Sequence, residues 1–78
     1  MAEITATEEL DCSGMICPLP VLKTKKAIVR MSAGEILKVT STDPGSVADM
    51  ASFSQHTGHE IIEQQEAGDA FVFYFRKA

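Results

Sequence analysis

Two prolines one residue apart, Pro18 and Pro20, fix where a helix can begin in this chain more tightly than any other feature. Proline has no N–H to donate and its φ is locked near the helical value, so it is accepted in the first helical turn and costly further in. The run from Val21 to Met31 is compatible with a helix, so Pro18 is placed at the first helical position and Pro20 at the third. Cys17 then falls at the N-cap, beside unpaired backbone N–H groups at the positive end of the helix dipole. An ordinary thiol has a pKa of about 8.5. A helix terminus favours an anion by about 0.3–1 kcal/mol, up to about 2, and about 1.4 kcal/mol is one pKa unit. The expected Cys17 thiol therefore titrates at about 7 to 8 and is exposed and moderately nucleophilic. Most free cysteines are small buried hydrophobes. The double proline argues against that fate here, since Ser or Asp would cap the helix better.

The rest of the chain reads as an order of elements. Ala6 to Cys12 is a short, edge-like strand with Leu10 and Cys12 on one face, and Gly14 marks a sharp turn before the cysteine. Pro18 to Ser32 is the first helix, with a buried stripe of Val21, Thr24, Ile28 and Met31 widened by Leu22 and Val29. Lys23, Lys26 and Arg30 share its opposite face, and Gly34 is placed to take a positive φ after it. Glu35 to Ser41 alternates as a strand. Asp43 as N-cap and Pro44 as first residue start a second helix running to Thr57, with Val47, Met50, Ala51 and Ser54 inward and Gly58 as its stop. Glu60 to Glu66 is a third strand, polar towards its end. A turn at Ala67-Gly68-Asp69 leads to Ala70–Arg76, the most strand-like segment. Phe71, Phe73 and Phe75 alternate there with Val72 and Tyr74, so both its faces are apolar, as in a central strand.

Strand, helix, strand, helix, strand, strand with right-handed crossovers gives an α+β two-layer sandwich. Two helices cover one face of a four-stranded mixed sheet, and the other face is left to water or a partner. The 78 residues are read as a single domain, 1–78, too small for a deep active-site cavity. A net charge of -4 argues against general nucleic-acid binding. The acidic start Met1-Ala2-Glu3-Ile4 has no apolar leader, and no apolar run is long enough to span a bilayer. With two cysteines, these features predict a cytoplasmic protein in a reducing compartment.

Leu10-Asp11, Gly14, Cys17-Pro18-Leu19-Pro20, Lys25-Lys26, Gly34-Glu35, Asp43-Pro44, Asp49 and Gly58-His59 together resemble the TusA/SirA-like sulfur carriers. The resemblance runs from about residue 9 to 77. It implies a β-α-β-α-β-β sandwich and a sulfurtransferase of carrier type, with Cys17 as the residue that carries a persulfide. It also implies two protein partners, a sulfur donor of rhodanese or cysteine desulfurase type and a downstream acceptor. The processes served would be tRNA thiolation, cofactor synthesis or dissimilatory sulfur oxidation. No metal or organic cofactor is implied, and a monomer forming transient complexes is expected. Thiol exchange fits such a relay, because it runs best with an accessible thiol whose pKa lies near ambient pH.

Other residues carry open readings. Cys12, which departs from the usual family pattern, could pack a strand end, resolve the Cys17 persulfide or form a disulfide with it. Lys23, Lys25, Lys26 and Arg30 could dock an acidic partner or lower the thiol pKa, against the plain alternative of a solvated helix face. Asp11 resembles the family's acidic residue before the loop and is expected to hold that loop by hydrogen bonds. His56 and His59 with two cysteines invite a zinc reading, but their spacings match no metal site. The alternative function is a regulatory or scaffolding module with a redox-sensing Cys12/Cys17 pair, which would need both cysteines where a carrier needs Cys17 alone.

Overall fold

A computed structural model describes residues 6–16 and 19–78. Six elements appear in the expected order: β1 (Glu8–Cys12), α1 (Leu19–Ile28), β2 (Ile36–Ser41), α2 (Ser46–Thr57), β3 (Glu60–Ala67) and β4 (Ala70–Arg76). The predicted placement of Cys17 at the helix cap and Pro18 at its first position lies outside the described residues.

The sheet order is β1-β2-β4-β3. β1 runs parallel to β2, while β4 is antiparallel to both β2 and β3, so the sheet is mixed as expected. Period-two alternation sorts its faces. Leu37 pairs with Phe75, Val39 with Phe73, and Cys12 with Ser41 across β1 and β2. Each of these is fully buried, and Ile28 of α1 and Met50 and Phe53 of α2 join the same core. Both helices therefore cover one face. The opposite face carries the row Glu9, Lys38, Tyr74 and Glu63, which is charged and polar. Arg76 and Glu60, also paired there across β3 and β4, form an ion pair. The open face is thus mixed, with Ile36 and Val72 half-buried among these polar side chains. Its aromatic member, Tyr74, is half-buried in the central strand.

Several local expectations shift. The α-helical pattern of α1 ends at Ile28, short of Ser32, because Arg30 and Met31 donate to Ala27 and Ile28 in tighter three-residue turns at 3.3 and 3.1 Å. Leu22 and Val29 do not widen the buried stripe: both are exposed, and Pro20, Thr24 and Ile28 face the core. The Thr24 hydroxyl is satisfied by donating to the Pro20 carbonyl at 2.8 Å, and it lies 3.9 Å from Met50 Sδ where the helices meet. In α2 the inward residues are Ser46, Met50 and Phe53, while Ala51 is exposed. Phe53 is the larger anchor, packing edge-on against Phe75 with ring centroids 5.7 Å apart. The regular helix starts two residues later than expected, and Asp43 acts before its N-cap rather than as it. Its carboxylate accepts the Gly45 N–H at 3.1 Å, and its carbonyl accepts both the N–H and hydroxyl of Ser46, so Gly45 occupies the N-cap of the regular helix. Gly58 ends α2 at φ +82°, as predicted.

Candidate functional site

The loop from Ser13 to Ile16 leads from the end of β1 towards α1, and the N–H groups of its first three residues are tied. Asp11 Oδ1 accepts the Ser13 N–H at 2.9 Å. Thr42 Oγ1 accepts the Gly14 N–H at 2.8 Å, and the Cys12 carbonyl accepts the Met15 N–H at 3.1 Å. The Ile16 carbonyl then accepts the Leu19 N–H at 2.9 Å. Gly14 sits at φ +80°, a backbone region that any side chain would strain. The three N–H groups of residues 13–15 are consequently turned to protein acceptors and are not free to bind an incoming anion. Hydrogen bonds from the Ser13 hydroxyl and backbone N–H hold the exposed Asp11 carboxyl below the ordinary carboxylate range.

Thr42 is the residue that sequence reading missed. It follows Ser41, which pairs with Cys12, so the parallel β1–β2 register sets Thr42 beside the loop. Nothing local in its sequence marks it, because the contact spans 28 positions.

The predicted site residues fall into separate environments. Asp11 is exposed near the end of β1, Gly14 is exposed in the loop, and Pro20 is buried at the start of α1. Cys17 and Pro18, the centre of the prediction, lie outside the described residues. Cys12 is fully buried in the core; burial, then the neighbouring Asp11 charge, raises its thiol pKa against the opposing pull of Lys23. Lys23, Lys26 and Arg30 come together along a groove of about 320 Å³ between α1 and β1, which Glu8, Leu10 and Ala27 also line. Lys25 is exposed but stands apart from that groove. His56 and His59 are not brought together with the cysteine loop: the His56 ring lies 2.8 Å from the Ser52 carbonyl, and His59 Nδ1 accepts the Ala78 N–H. Among the described residues no cluster of three His, Cys, Asp or Glu could hold a metal ion. None of their helices is long and apolar enough to cross a membrane.

Comparison with known proteins agrees with this architecture. The solved structure of a SirA-like protein from Desulfitobacterium hafniense superposes with a TM-score of 0.80 at 21% identity, covering 90% of this chain and 96% of that one. It shares the fold. A sulfur carrier protein TusA from Allochromatium vinosum is 48% identical over 71 residues, covering 91% of this chain and 93% of the relative. A putative sulfur carrier protein, YrkI of Bacillus subtilis, is 40% identical over 68 residues, with 87% and 91% covered. A Pseudomonas putida TusA is 36% identical over 77 residues, with 99% and 96% covered. The family model described as sulfurtransferase TusA matches residues 8–77, which takes in the tied loop, both helices and all four strands, and the chain therefore belongs to the TusA family of sulfur-relay proteins.

Proposed function

We propose that this protein carries sulfur as a persulfide on Cys17, taking it from a donor of rhodanese or cysteine desulfurase type and passing it to an acceptor protein. In the loading step the Cys17 thiolate attacks the outer sulfur of the donor persulfide. A new S–S bond forms at Cys17, the donor's S–S bond breaks, and its electron pair leaves on the donor's inner sulfur as a thiolate. Unloading is the same displacement, with an acceptor thiolate as the attacker. No net oxidation occurs, so no redox cofactor enters. The observation that carries the reading is the tied loop immediately before Cys17 in a chain of this family. Its own N–H groups are spent on Asp11, Thr42 and Cys12, so the loop is held in place and is not folded around a ligand.

Burial of Cys12 favours a packing role for that thiol over a resolving or redox role. A relay needs thiols that stay reduced, so the proposed setting is the cytoplasm. The proposed routes served are tRNA thiolation, cofactor synthesis or dissimilatory sulfur oxidation. The test is intact mass after incubation with inorganic polysulfide and with persulfide-loaded donor proteins. A reductant-labile gain of one sulfur atom, lost in Cys17→Ser and kept in Cys12→Ser, is the expected result. Loading retained by Cys17→Ser refutes the assignment. Loss of two hydrogens on oxidation, requiring both cysteines, would favour the redox module instead.

A further inference from the structure

The large apolar side chains exposed among the described residues are Ile16, Leu19, Leu22 and Val29, at 70%, 44%, 47% and 60%. Leu19, Leu22 and Val29 share one side of the helix. Leu22, Lys26 and Val29 follow at four- and three-residue steps, and Leu19, Lys23, Lys26 and Arg30 form the adjoining ridge. The outer side of α1 is therefore aliphatic and cationic together, and Ile16 and Leu19 flank Cys17-Pro18 in the sequence. Its charge is concentrated against the trend of the molecule. The net charge is -4, yet four of the seven Lys and Arg lie between Lys23 and Arg30, and α1 contains no carboxylate. Among the described residues none of these four is in an ion pair. Glu8 and Leu10 border the same groove from β1.

The other faces offer no comparable patch. The open side of the sheet carries Glu9, Lys38, Tyr74 and Glu63 beside Ile36 and Val72, which are half-buried rather than exposed, and α2 exposes Ala48, Ala51, Ser52, Gln55 and His56. We propose that the outer face of α1 recognises both the sulfur-giving and the sulfur-taking protein, and that each presents aliphatic side chains flanked by Asp and Glu around its reactive sulfur. The proposal rests on the persulfide reading for what is transferred. Charge complementarity selects the occupant: a second copy meeting this face with its own would set Lys23, Lys26 and Arg30 against the same three cations, whereas an acidic surface neutralises them. Sharing one face has a mechanistic result. Donor and acceptor bind by turns, and no complex holds both.

The test uses thiol–disulfide exchange, which needs no cognate partner. Short peptides with a central cysteine are prepared as mixed disulfides with thionitrobenzoate, the cysteine flanked by Leu and Glu, by Leu and Lys, by Ser and Glu, or by Ser and Gly. The Cys17 thiolate attacks the peptide sulfur, an S–S bond forms, and coloured thionitrobenzoate leaves with the electron pair. The Cys17→Ser protein supplies the background. At about 0.02 M salt the Leu/Glu peptide is expected to react about tenfold faster than the Leu/Lys peptide, a gap that largely closes at about 0.5 M. Lys23→Glu with Lys26→Glu should invert the charge preference. Leu19→Ser with Leu22→Ser should bring the Leu/Glu rate down to that of a Ser/Glu peptide. Rates indifferent to peptide sequence, or preferences unchanged in both double variants, overturn the proposal, as does self-association abolished by the serine substitutions. The charge-reversal pair keeps the test decisive if the serine pair loses its fold. Polysulfide loading of Cys17, measured separately, shows whether a failure belongs to this surface or to the carrier reading.

Discussion

Replacing Thr42 with valine removes one acceptor and keeps the shape of the side chain, and so isolates the tie between β2 and the cysteine loop. The Gly14 N–H donates to Thr42 Oγ1 at 2.8 Å, and Gly14 is exposed, so water can replace the lost acceptor. The cost belongs at the low end for a hydrogen bond, about 0.5–1 kcal/mol. That lowers the ratio of tied to free loop by about two- to fivefold, since about 1.4 kcal/mol is tenfold. If all of it appeared in global stability, 78 residues at about 2.1 cal/mol/K each would give a fall in Tm of about 3–6 °C. The functional reading is sharper than the thermal one. Amide hydrogen exchange should speed up at Gly14 by that two- to fivefold factor and leave the core strands unchanged. The pH profile of Cys17 alkylation should move up towards an ordinary thiol, at about 8.5, as the loop loosens. Thr42→Ser should restore both. Unchanged Gly14 exchange in Thr42→Val, or equal acceleration in Thr42→Ser, would refute the tie. A wild-type thiol that already titrates at 8.5 would instead refute the helix-terminus argument for Cys17.

Two further outcomes follow from single residues. Gly14→Ala meets no neighbouring atom within 4 Å but must hold φ +80°, so it should destabilise by about 1–2 kcal/mol, readable as a lower urea midpoint, with retarded loading of Cys17. A loss-free Gly14→Ala would show that the loop can change its turn. Burial of the His59 ring, then repulsion from Lys77, lowers its pKa, and its Nδ1 accepts the Ala78 N–H at 3.0 Å. A depressed histidine pKa means the unfolded chain binds the proton more readily. The contribution is therefore complete above about pH 6.5 and is lost as pH falls through the folded-state value. Urea midpoints of wild type and His59→Asn should differ at pH 7.5 and draw together as pH falls below about 6.5; parallel curves would remove His59 from the account.

Much of this was legible because period and punctuation agree. Alternation in Leu37–Ser41 and Phe71–Phe75 sets the buried sheet face, and Gly58 stops α2 where a left-handed residue is required. The helices depart from the expected pattern, because an apolar residue on a helix need not face inward. Leu22 and Val29 point out, and Phe53, three residues after Met50, points in, so the true stripes are rotated slightly from the expected ones. A stripe read by hydrophobicity alone cannot separate a core face from a docking face. Thr42 was invisible for another reason: its role depends on which strand lies beside β1, and no local pattern encodes pairing across 28 residues.

The strand order has a consequence for how the molecule is made. β4 is the last element in the chain and an inner strand of the sheet, lying between β2 and β3. A nascent chain that ends at Asp69 has its parallel β1–β2 pair and its third strand but nothing to join them. It also lacks Phe73 and Phe75, two of the largest fully buried side chains. Folding must wait until Ala70–Arg76 clears the ribosome, and it then closes both halves of the sheet in one event. Until that moment one flank of β2 and both flanks of β3 are open to wrong pairing.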